Sequence, residues 1–190
     1  MNIEAERQAI EHLFVGVTLP IIVQDGGLFG IVGTATLFRI EDRPFLITAG
    51  HIIHDYSVDR WCYTEHPNHG KIYTLGALQH HRPREEPYDV AVVEIQDPQV
   101  RQRLQTNWRF LTPEQVSRPH EGADFFISGF PSALAVPEKT AVRGVLQHLK
   151  RRRYHHQVMQ LSPLILGLTT SLMLGRTFLM VSIKTLKSKA

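Results

Sequence analysis

His51 closes the apolar stretch Phe45-Leu46-Ile47-Thr48-Ala49-Gly50 and is followed by Ile52-Ile53. An imidazole at the rim of a buried strand is held in one direction, and its two ring nitrogens can take up and return a proton near neutral pH. Asp89 then opens a second apolar stretch, Val90-Ala91-Val92-Val93-Glu94-Ile95. A buried carboxylate on one imidazole nitrogen fixes the tautomer and stabilises the imidazolium that forms when the other nitrogen takes a proton. Together the two residues are expected to act as a general base and its orienting acid. His54 and Asp55 offer a rival pair, but they fall in the turn after His51 and are expected to be solvated. Tyr88 is read as packing and Glu94 as surface.

Other residues carry weaker signals. Cys62, His66 and His69 have zinc-ligand types at Cys-x3-His-x2-His spacing, with His80 and His81 farther on. No second half-site accompanies them, so an inter-strand turn is the expectation and neither a metal nor a cofactor is called for. Lys150-Arg151-Arg152-Arg153-Tyr154 could attract phosphates, but its aromatic interleaving stops at one tyrosine, and nucleic acid is not the expected partner. The apolar run 161–183 is long enough to span a bilayer, yet Pro163 and Arg176 interrupt it. A basic or membrane-associating adaptor acting through residues 139–190 is kept as an alternative.

The elements that must position His51 and Asp89 are short. Ile3, Ile10, Leu13 and Phe14 recur at helical spacing among charges, which predicts an amphipathic N-terminal helix. From Val15 onward, β-branched and aromatic runs alternate with turn residues, and strands are expected at 18–23, 33–40, 45–48, 61–64, 72–77, 90–95 and 124–128. Glu41-Asp42-Arg43-Pro44 has turn chemistry and makes 33–48 a hairpin. Residues 100–139 read as polar connector plus one strand, punctuated by Pro113, Pro119, Pro131 and Pro137. In 190 residues this pattern amounts to an all-β barrel or sandwich. One cysteine excludes an intramolecular disulfide, and the acidic N-terminus shows no signal peptide, so a cytoplasmic location is expected. No motif sets an oligomeric state.

The segments Thr48-Ala49-Gly50-His51 and Asp89-Val90-Ala91-Val92-Val93 resemble the trypsin-like (chymotrypsin-fold) serine peptidases. There a Thr-Ala-x-His segment carries the general base, and an Asp-(Ile/Val)-Ala-(Leu/Val)-(Leu/Val) segment carries its orienter. Gly33-Thr34 and Ile127-Ser128-Gly129-Phe130-Pro131 agree with the same family, and the resemblance covers residues 19–145. It implies a double β-barrel with a short N-terminal helix: residues 1–15 the helix, 16–110 the first barrel, 111–123 a connector, and 124–190 a partial second barrel with a basic and apolar tail. The implied reaction is hydrolysis of a polypeptide substrate through an acyl-enzyme. In it His51 is general base, Asp89 orients it, and a serine of the second barrel is nucleophile.

That nucleophile's motif, Gly-x-Ser-Gly, is not in the sequence. Ser162, Ser171 and Ser182 lack the flanking glycines that let a backbone turn aim its N–H groups at an oxyanion. The gap coincides with a break in charge: residues 1–138 hold all 18 acidic side chains and 11 of the 21 basic ones, and residues 139–190 hold the other 10. The expectation is that this tail is truncated, or read in a shifted frame, relative to the family. Little or no peptidase activity is expected of the chain as written, and a non-catalytic peptide-binding module is the alternative.

Overall fold

Thr18 to Thr48 is rich in β-branched and aromatic residues and folds as three consecutive antiparallel strands. The computed structural model describes residues 3–67, 69–81, 89–116, 124–131, 135–137, 142–143, 147–152 and 179–181. Helix α1 (Ile3–Val17) runs directly into β1 (Thr18–Asp25), followed by β2 (Leu28–Ile40) and β3 (Arg43–Thr48). Gly26 and Gly27 both take positive φ in the first turn, where side chains are disfavoured. Next come α2 (Gly50–Asp55), β4 (Trp61–His66), β5 (His69–Thr74), β6 (Leu78–His81), β7 (Ala91–Ile95) and α3 (Pro98–Asn107).

The seven strands form one antiparallel sheet in the order β5-β4-β1-β2-β3-β7-β6. It is open, with β5 and β6 as its edges. The expectation of an all-β fold with an N-terminal helix therefore holds at the level of mainly antiparallel β structure. Leu19, Ile21, Leu37, Leu46, Trp61, Tyr63, Val93 and Ile95 belong to one buried cluster. Strands far apart in the sheet thus share a core, which requires the sheet to curl around it. Burying side chains of this size contributes roughly 1.5–3 kcal/mol each.

Two helices depart from the sequence reading. The connector expected from residue 100 begins instead as α3. Its start is capped by Asp97, whose Oδ1 accepts the N–H groups of Gln99 at 2.8 Å and Val100 at 3.1 Å, with Pro98 in the first turn. Val100 and Leu104, one turn apart, are buried against the sheet. Leu111 then lies along β2, donating to Leu37 O at 3.0 Å and accepting from Arg39 N–H at 2.8 Å. The residues from 98 to 111 thus belong with the large sheet. The strand expected at 72–77 is shifted: β5 ends at Thr74, Leu75 donates to Trp61 O at 2.8 Å, and Gly76 turns with φ +66°.

The remaining strands are β8 (Asp124–Gly129), β9 (Val136–Pro137), β10 (Val142–Arg143), β11 (Gln147–Arg152) and β12 (Leu179–Val181). They form a three-stranded sheet, β11-β8-β12, and the pair β9–β10. Phe130, just after β8, packs with Ile22, Ile31 and Cys62 of the large sheet. Apart from β12, the apolar run 161–183 lies outside the described residues, as do Ser162, Ser171 and Ser182. Among the described residues no helix is long and apolar enough to cross a membrane.

Candidate active site

The pairing of β3 with β7 brings the two candidate residues together. Thr48 is opposite Ala91 in this antiparallel ladder, so the chain leaving β3 meets the chain entering β7. His51 is three residues past that point on one side and Asp89 two residues before it on the other. The Asp89 carboxylate accepts the His51 backbone N–H at 2.8 Å and lies 2.5 Å from His51 Nδ1. An ionised carboxylate only accepts, so Nδ1 carries the proton and Nε2 is the ring nitrogen able to receive one.

Asp89 has a second effect. Helix α2 starts after Ala49, which supplies no side-chain cap, and Asp89 takes that place from across the sheet by accepting the N–H of His51. Negative charge is favoured at this end of a helix. Burial pushes the Asp89 carboxyl up, but hydrogen bonds from the His51 ring, from the His51 backbone and from the Gly50 backbone outweigh it and hold it below its ordinary value. The side chains of His51 and Asp89 are 35% and 54% exposed, so the carboxylate expected to be buried stands at the surface. The reason is its position: it precedes β7 and caps a surface helix, outside the core.

Neighbouring strands hold α2 in place. Gly33 of β2 lies beneath Ile52, and a Cβ there would come within 2.7 Å of Ile52 Cδ1. The Thr34 carbonyl accepts the Thr48 hydroxyl at 2.8 Å, and the Thr34 hydroxyl accepts the Phe130 N–H at 2.8 Å; both bonds are buried. One residue thereby ties the end of β3, just ahead of His51, to the segment following β8. In the sequence Gly33-Thr34 carries only a resemblance; the Thr34 hydroxyl's partner is 96 residues away in the chain and has no local signature.

The other candidates separate. His54 and Asp55 pair at 3.0 Å on the exposed face of α2, as expected of solvated side chains. Glu94, expected at the surface, is buried. Arg43 reaches over it with two bonds of 2.8 and 2.6 Å, and these hold its carboxyl below the usual range against burial. Cys62 faces a core, where burial pushes its thiol up, and His66 and His69 sit at the far end of the β4–β5 hairpin. Among the described residues no group of three His, Cys, Asp or Glu side chains could hold a metal ion. Tyr88 and residues 153–156 lie outside the described residues; Lys150, Arg151 and Arg152 pair in β11 with Phe126, Phe125 and Asp124 of β8. The Ser128 hydroxyl is buried, with no hydrogen-bond partner among the described residues.

The arrangement can hold one imidazole in a single tautomer, with its other nitrogen as a base and a carboxylate placed to stabilise the protonated ring. Comparison with protein-family models finds no match, and comparison with curated proteins finds none either.

Proposed function

We propose that this chain is a trypsin-like serine peptidase domain in which the proton-handling pair is built and the nucleophile motif is missing. The contact of 2.5 Å between His51 Nδ1 and Asp89, joined by the 2.8 Å bond to the His51 backbone, carries the reading. Two features support it further: the base follows a sheet strand and its orienter leads the neighbouring antiparallel one, and Thr34 ties this strand to Phe130. In this reading the curled seven-stranded sheet is the first barrel, and β8, β11 and β12 begin the second. The substrate class is an extended polypeptide.

In a complete member, Nε2 of His51 would take the proton of a serine hydroxyl as that oxygen attacks the peptide carbonyl, then deliver it to the leaving amine. Asp89 would stabilise the intervening imidazolium. The serine belongs to a Gly-x-Ser-Gly segment that this sequence does not contain, and a triad without its nucleophile loses nearly all of its rate enhancement. The chain therefore holds peptide without cleaving it, and strand addition at a sheet edge is the mode open to such a fold.

A fluorophosphonate probe tests the missing nucleophile. The purified chain is expected to remain unlabelled. Stoichiometric labelling that disappears in His51→Ala would show that a serine of this chain is activated after all, and would overturn the non-hydrolytic reading.

A further inference from the structure

Thr34 stands where β2 parts from its neighbours. On one side the β2–β3 ladder ends at Thr36 and Ile47. On the other a bulge interrupts the β1–β2 ladder: Ile21 is opposite Gly33 and Ile22 opposite Ile31, which leaves Val32 extra. A bulge bends its strand and re-aims the residues beside it. Here those residues are Gly33 and Thr34. Successive side chains of a strand point to opposite faces. Gly33 accordingly lies beneath Ile52 of α2, within the large core cluster. The Thr34 hydroxyl serves the other face, where it accepts the Phe130 N–H at 2.8 Å and Phe130 packs with Ile22, Ile31 and Cys62.

The Thr34 carbonyl has a separate duty. It lies two residues past the end of the β2–β3 ladder, and the Thr48 hydroxyl bonds to it at 2.8 Å in place of a backbone N–H. Thr34, Thr48 and Phe130 are all buried, so a polar group left unpaired there bears its full desolvation cost. Thr48 is the last residue of β3 and the point from which both members of the candidate pair are placed. His51 follows it by three residues through Ala49 and Gly50, and Asp89 precedes by two residues its ladder partner Ala91.

We infer that Thr34 is a positioning residue for His51, through which the seating of Phe130 sets the geometry of the His51–Asp89 contact. With Phe130 seated, the Thr34 hydroxyl is engaged, its peptide group is fixed, and Thr48 is held where β3 gives way to α2. Without that bond the carbonyl that holds Thr48 can tilt, and the 2.5 Å contact between His51 Nδ1 and Asp89 opens more often. The oriented base is therefore conditional on the segment after β8 being docked on the large sheet. This role rests on the reading of His51 and Asp89 as an oriented pair and needs no nucleophile.

Exchange of the His51 Nδ1 proton with water, followed by nuclear magnetic resonance of the full chain, is the test. Thr34→Val keeps the side chain's shape and removes the acceptor; Thr48→Val removes the donor. Each should speed the exchange about fivefold, the equilibrium weight of one buried hydrogen bond, and shift the Nδ1–H resonance. Thr34→Ser and Thr48→Ser keep the hydroxyls and should restore both readings. Asp97→Ala, which uncaps α3, should leave both unchanged, so that a general loss of stability does not imitate the effect. Thr34→Ala, which leaves room for a water beside the Phe130 N–H, replaces Thr34→Val if the latter does not fold. Wild-type exchange in the Thr34 variant, or serine variants as fast as the valine ones, would overturn the inference and leave the pair standing. A wild-type His51 protonated on Nε2 would overturn the pair and this role with it.

Discussion

Gly33→Ala probes how the scaffold holds His51, because Gly33 is where β2 meets α2. The new Cβ would stand 2.7 Å from Ile52 Cδ1 and 3.2 Å from Ile52 Cγ1. Ile52 is 1% exposed, so its terminal methyl must shift within the packed core to admit the new Cβ. Overpacking of this kind costs about 1–3 kcal/mol. Opposing it, alanine restricts the unfolded chain and stabilises by about 0.4–1 kcal/mol, since Gly33 does not need a positive φ. The clash wins, and a net loss of about 1–2 kcal/mol is expected. Ile52→Val removes Cδ1, the atom that clashes, at a cost of about 0.5–1.5 kcal/mol. In that background Gly33→Ala should be close to neutral, giving a coupling of about 1–2 kcal/mol between the two sites. Urea unfolding of the four proteins, with slopes unchanged, measures the cycle. Additivity to within about 0.5 kcal/mol would refute the claim that Gly33 is required for the approach of α2.

The remaining expectations concern α3 and pH. Asp97→Ala removes the acceptor for two backbone N–H groups and should lower stability by about 0.5–2 kcal/mol, with Asp97→Ser retaining most of it; urea midpoints decide this. The folded Asp89 carboxyl lies below its ordinary value of 3.8, so folding favours the ionised form. Its contribution is complete above that value and is lost as pH falls through the lower folded one. The stability gap between wild type and Asp89→Asn should therefore be greatest near neutrality and close as pH drops below 3.8, remaining small throughout because the carboxylate is more than half exposed. Unfolding curves across an acid series would show it, and a gap that widens on acidification would contradict it.

Much of the large sheet was legible in the sequence, because β1 to β4 and β7 are runs of β-branched and aromatic residues whose type changes little with context. Elements whose reasons lie elsewhere in the fold were not. Leu78–His81 contains one apolar residue and is a strand only because β7 offers a ladder on one side. Helix α3 has a readable start in Asp97-Pro98, yet only Val100 and Leu104 are apolar within its ten residues, too thin a stripe to outweigh a polar composition. Helix α2 is too short to show periodicity, and its cap comes from Asp89, 38 residues away in the chain. The candidate pair was found through the strand-end contexts of its two members. The exposure of Asp89 and the burial of Glu94 were not, since both follow from partners across the sheet.

Imidazole proton–nitrogen correlation spectra of the full chain test the central claim most directly. Neutral His51 is expected as the Nδ1–H tautomer, with that proton's resonance shifted or lost in Asp89→Asn while the other histidines keep theirs. A neutral His51 protonated on Nε2, or a His51 signal indifferent to Asp89→Asn, would mean that no oriented base exists at this position.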